Sequence, residues 1–87
     1  YANMITVDLT LPSGDVTRNA LLMLFSVNDN SYAATIRIDE NNVPYPVDVA
    51  LYIADIHSDG TFDLYDILDQ KEYLSASNAF SKLLDYL

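Results

Sequence analysis

The stretch DQKEYLSASNAFSKLLDYL, residues 69–87, decides the fold. Within it Tyr73, Ala76, Phe80, Leu83, Leu84 and Leu87 recur at steps of three and four, which places them on one apolar stripe of an amphipathic helix. Ser75, Asn78, Ser81, Lys82 and Asp85 lie opposite and lose no hydration if that side faces water. A stripe of this kind has to be buried, so the chain before it must supply a surface to bury it on. Asp69 followed by Glu72 predicts the helix start, as a capping box in which both carboxylates meet unpaired backbone N–H groups at the positive end of the dipole. Lys82 suits the last turn, whereas Asp85 opposes the dipole there by about 0.3 kcal/mol and predicts a frayed end.

Outward from the helix the pattern changes to period two. Ile5, Val7, Leu9 and Leu11 alternate with polar residues and predict a first strand. Pro12 to Asp15 then supply a turn. Val16 to Val27 fits a strand through Leu21, Met23, Phe25 and Val27, and a helix through Val16, Ala20, Met23, Leu24 and Val27. Its position between the turns Pro12 to Asp15 and Asn28 to Ser31 favours the strand. Apolar residues on both of its sides predict an interior strand with one face on the helix and the other covered by a loop or a partner chain. Tyr32 to Asp39 alternates again as a third strand. Pro44 and Pro46 remove ladder donors and predict an edge or loop over Val43 to Val47, through which no central strand should run. Val49 to Ala54 gives a fourth strand, Asp59-Gly60 a hairpin tip and Phe62 to Ile67 a fifth strand. The expected fold is α+β, an antiparallel sheet of four to five strands with one C-terminal helix on one face, forming a single domain over residues 1–87.

Composition narrows the function classes. Of 87 residues, 13 are acidic and 4 basic, a net charge of −9 that disfavours contact with nucleic acid phosphate and favours a basic protein or peptide. The chain has no cysteine, so it offers no disulfide, thiol nucleophile or thiolate metal site. No apolar run is long enough to cross a membrane as a helix, and no basic segment precedes a short apolar run. These features predict a soluble cytoplasmic protein with no cofactor; the oligomeric state stays open, self-association included. Tyr1, Ala2 and Asn3 ahead of Met4 read as a trimmed or appended end without a function.

The most specific local pattern is Asp55 to Asp66. Asp55, His57, Asp59, Gly60, Thr61, Asp63 and Asp66 fall on positions 1, 3, 5, 6, 7, 9 and 12 of a calcium loop. Oxygen atoms of Asp55, Asp59, Thr61, Asp63 and Asp66 would be the metal ligands in that reading. His57 is a poor calcium ligand and Asp66 is shorter than the bidentate glutamate, so an Asp-Gly hairpin explains the same residues with fewer demands. His57 is the single histidine, and no serine stands in a nucleophile-elbow context, so an enzyme is not expected. Asp55, Asp59, Asp63, Asp66, Asp69 and Glu72 face one lysine over this segment and form a candidate acidic patch, beside which Tyr45, Tyr52 and Tyr65 offer interface anchors.

Several short stretches carry a family likeness. Ser13-Gly14-Asp15, Phe25, Asn30-Ser31-Tyr32, Asp59-Gly60 followed by Ile67, Glu72-Tyr73, Ala79-Phe80 and Leu83-Leu84 follow one another in an order that resembles the YrzB-like family. These are short acidic cytoplasmic proteins of bacteria that carry a domain of unknown function. The resemblance implies a strand at Val16 to Val27 and no catalytic residue. Together with the residue pattern it leads to the expectation of a non-enzymatic protein-interaction or regulatory module, with an EF-hand-like calcium module at residues 55–66 as the alternative.

Overall fold

The computed structural model describes residues 5–86. Strands β1 (Thr6–Thr10), β2 (Val16–Val27), β3 (Asn30–Ile38), β4 (Pro44–Ile56) and β5 (Phe62–Asp66) pair antiparallel in sequence order, and α1 (Gln70–Leu84) packs against the sheet. The fold is α+β, with Val16–Val27 a strand throughout. Tyr1 to Met4, and the Leu87 expected on the helix stripe, lie outside the described residues.

Local chemistry accounts for all four hairpins. Three repeat one pattern, in which two hydrogen bonds close a loop whose last residue has positive φ: Leu11 to Asp15 around Gly14 (φ 92°), Asp39 to Val43 around Asn42 (φ 64°) and His57 to Thr61 around Gly60 (φ 88°). Glycine and asparagine are the residues that reach this conformation at least cost. The β2–β3 connection is instead a two-residue turn, Asn28 (φ 50°) and Asp29 (φ 69°), whose twist matches that of the flanking strands.

Pro44 and Pro46 lie inside β4, which sits between β3 and β5 in the sheet, against the expectation that no central strand passes here. The reason is length: β5 pairs only with Tyr52 to Ile56, so the proline-bearing half of β4 has β3 on one side and, among the described residues, no strand on the other. It is an edge within a central strand. The ladder to β3 also breaks there, passing from Ile36↔Val49 to Ile38↔Pro44.

One face of the sheet carries Phe25, Tyr32, Ala34 and Leu51, and α1 closes over them with Ala76 and Phe80. Phe80 stacks on Phe25 at 5.9 Å between ring centroids, and Phe25 meets Tyr32 at 5.8 Å. Ala79 and Leu83, partly buried, complete the helix contact, so the contact positions run 76, 79, 80, 83. That is narrower than the expected stripe: Tyr73 is 41% and Leu84 47% exposed, because a helix crossing a bent sheet touches it over two turns. The helix ends at Leu84 with Asp85 as its cap, short of the expected end at Leu87. The capping box forms only in part. Asp69 accepts from the Lys71 N–H at 3.3 Å, but Glu72 turns away from the cap and accepts from the Tyr32 hydroxyl at 2.7 Å. A phenol that is 2% exposed needs a partner for its O–H, and this requirement outweighs a solvent-exposed cap contact.

The opposite face is covered by the sheet itself, where a loop or partner chain was expected. Register places Val7, Leu21, Ala33, Thr35, Ala50, Tyr52, Ala54, Phe62 and Leu64 on it. The central positions are small, and Ala33, Thr35 and Ala54 are buried there. Small side chains at the middle let the sheet curl, bringing β1 and β5 toward each other over the hollow. Thr35 is 0% exposed and its Oγ1 has no hydrogen-bond partner among the described residues. An orphaned buried hydroxyl is unfavourable by about 1–3 kcal/mol, so Thr35→Val should raise the stability measured by urea unfolding by ~1 kcal/mol. A loss of stability would instead show that the hydroxyl is satisfied in solution.

Candidate functional site

The curl creates an opening between the two ends of the sheet. In a flat sheet of this order β1 and β5 would stand four strand spacings apart, about 19 Å. Here residues 7–12 and 62–66 line opposite walls of one open cavity of 560 Å³, with Tyr52 between them. Val7, Leu9, Phe62 and Leu64 give its inner surface apolar character. Asp8, Asp63 and Asp66 are the charged groups in the lining, and none of the four basic side chains reaches it. Among the described residues β1 pairs with β2 alone and β5 with β4 alone, so each presents one row of backbone N–H and C=O groups toward the gap.

The candidate patch from Asp55 to Glu72 does not form one surface. Asp55 and Asp63 are direct cross-strand partners on the helix side of the sheet, and Asp66 pairs with Tyr52 on the hollow side. Asp69 caps the helix and Glu72 holds Tyr32. Asp59 is turned inward on its own loop, accepting from the Thr61 hydroxyl at 2.6 Å and the Thr61 N–H at 3.0 Å. The hydroxyl contact, helped by the N–H, holds the Asp59 carboxyl below its ordinary range. The five oxygen ligands of the calcium reading therefore do not converge: Asp59 and Thr61 satisfy each other, and Asp66 faces away from Asp55 and Asp63. Residues 55–66 form the hairpin that Asp59-Gly60 predicts.

What does converge is Asp55, His57 and Asp63, all three exposed, whose ligand atoms lie within 4.8 Å of one another. Like charges directly opposite on adjacent strands repel. His57 relieves this, its Nε2 lying 2.9 Å from Asp63 Oδ2. That hydrogen bond, with Asp55 and Asp63 adding their charge, raises the imidazole above its ordinary value near 6.5. The ring titration followed by NMR should accordingly show a midpoint above 6.5. Asp63→Asn should bring it back toward the ordinary value, and an unchanged midpoint would place the cause elsewhere.

Of the tyrosines expected as anchors, Tyr52 and Tyr65 line the β1–β5 opening, whereas Tyr45 lies at the other end of β4 under the Arg37 guanidinium, 5.1 Å from its ring centre. Val7, Leu9, Phe62 and Leu64 were legible in the sequence as strand residues only. The signal that would have joined them is the run of small residues, Ala33, Thr35, Ala50 and Ala54, on one sheet face, which marks where the sheet bends.

No helix among the described residues is long and apolar enough to cross a membrane. No curated protein and no solved structure gives a match to the chain. Residues 13–85 match the model of one family, from the first hairpin turn through the end of the helix, and the chain therefore belongs to the proteins of unknown function (DUF1292).

Proposed function

We propose that this chain is a non-enzymatic protein-interaction or regulatory module. The observation that carries the reading is the partly closed sheet, with two strand edges that are unpaired among the described residues and stand on opposite walls of one opening lined by both apolar and acidic side chains. An open edge is a template on which a strand of another chain can pair. The acidic charge and the likeness to the YrzB-like proteins extend the reading to a basic partner in the cytoplasm of a bacterium. Affinity capture from lysate with the tagged chain, quantified against a tag alone, should enrich one protein specifically. Turnover of a small molecule by the purified chain, with no protein enriched, would sink the reading.

Cation binding retains one observation in its favour, the convergence of Asp55, His57 and Asp63. Calorimetric titration with calcium decides it. Heats shared among scattered carboxylates and screened by salt are the expected result, whereas saturable one-to-one binding lost in Asp63→Ala would establish a cation module instead.

A further inference from the structure

We infer that the β1–β5 gap receives one extended strand of a basic partner, which inserts antiparallel to both edges and closes the sheet into a six-stranded barrel. This rests on the interaction reading above and names its surface and partner class.

Strand direction carries the inference. Each neighbouring pair in the order β1 to β5 is antiparallel, so β1 and β5 run the same way. A single strand placed between them and opposed to both hydrogen-bonds to each edge in antiparallel geometry and leaves no edge open. Strands Thr6–Thr10 and Phe62–Asp66 have five residues each, so the two walls match in length. The prolines of β4 make the contrast: Pro44 and Pro46 remove donors along its free half, which blunts that edge against strand addition, while β1 and β5 contain no proline.

Side-chain alternation specifies the occupant. Val7, Leu9, Phe62 and Leu64 point to the hollow, with Asp66 on the same face at the end of β5, so the residues of the inserted strand that lie against the four apolar side chains have to be apolar. Asp8 and Asp63 point to the other face, one on each wall, Asp63 already bonded to His57, and basic residues between them complement both carboxylates. The partner segment thus alternates Lys or Arg with apolar residues. A second copy of this chain is a poor occupant, because its net charge of −9 repels the same carboxylates.

The test uses a blocked peptide of about eight residues alternating lysine and valine, long enough to span the edges. Titration at up to about 1 mM peptide should show saturable binding. Amide hydrogen exchange should slow at residues 6–10 and 62–66. A glutamate-for-lysine peptide should not bind, and methylating alternate peptide nitrogens should weaken binding by roughly tenfold or more, since donors to an edge are lost. Asp8→Lys with Asp63→Lys should weaken it by a similar factor, whereas Glu40→Lys with Asp48→Lys, the same charge change away from the gap, should leave it within about threefold. Absence of saturable binding, equal losses in the two charge variants, or protection elsewhere would overturn the inference. So would concentration-dependent dimerisation that protects β1 and β5 without peptide. A captured lysate partner that binds the Asp8→Lys, Asp63→Lys variant as well as the native chain would remove this site while leaving the interaction reading intact.

Discussion

Replacing Phe80 by alanine should destabilise the fold by about 3–5 kcal/mol, the range for truncating a buried aromatic side chain. Phe80 is 9% exposed and stacks on Phe25, so its removal loses the transfer free energy of the ring and leaves a hole between helix and sheet. The hole cannot collapse easily, because Ala34 and Ala76 beside it are already small and buried. A chain of this length has a total stability of roughly 4–13 kcal/mol, so the variant should be marginal or unfolded at 25 °C. Ser81→Ala, one residue on and exposed, should change stability by less than about 0.5 kcal/mol. Urea unfolding of both variants makes the comparison. Equal losses would mean that the helix lies on the sheet by another face.

Tyr32→Phe should lower stability by about 1.5–3 kcal/mol at neutral pH, the range for a hydrogen bond to a charged group. The ring stays to pack on Phe25, so the change isolates the bond between its hydroxyl and Glu72 that ties β3 to the first turn of α1. Glu72→Gln should lose part of the same energy, and the double variant should lose less than the sum. Alkaline pH gives a second signature. Burial first, then the Glu72 hydrogen bond and charge, raise the Tyr32 phenol above its ordinary value of 10. Burial, with the charge of Asp66, does the same for Tyr52. The folded state holds these protons after the unfolded chain has released them. Their contribution is therefore fully present below pH 10 and is lost as pH rises from 10 through the folded values. Thermal unfolding between about pH 9 and 11.5 should show this fall, and Tyr32→Phe, which has no proton to lose, should show a shallower one. An identical slope would contradict the role given to the phenol.

These two side chains also bear on the proposed interaction. The helix holds the sheet from one face, and the curl over Ala33, Thr35 and Ala54 brings the two edges together on the other. Loosening the Tyr32 latch at the helix start leaves the edge residues of β1 and β5 in place, so Tyr32→Phe is a suitable folded control for peptide binding.

The order and type of the elements could be read from residue pattern, although β4 starts five residues earlier than its alternation predicts and β3 begins within the predicted turn Asn28 to Ser31. Turn residues act within four or five positions, and alternation or 3.6-residue periodicity acts within one element, so both can be read without knowing what lies across the core. Pro12 to Asp15, Asn28-Asp29 and Asp59-Gly60 stand where the hairpins reverse, and Ala76, Phe80 and Leu83 face the sheet as their spacing predicts. Tertiary structure alone decided the rest. Whether Pro44 and Pro46 could sit in an interior strand depended on how far β5 reaches along β4, a property of two segments together. Glu72 suited a cap by spacing and went to Tyr32, because a buried phenol forty residues away had the stronger need for an acceptor. Asp55 to Asp66 matched a calcium loop in one dimension, but strand pleating sends Asp63 and Asp66 to opposite faces and the turn claims Asp59. The opening between β1 and β5 has no local signature at all. It arises from the summed volumes of side chains on two strands, β3 and β4, which set how sharply the sheet bends and hence which edges meet.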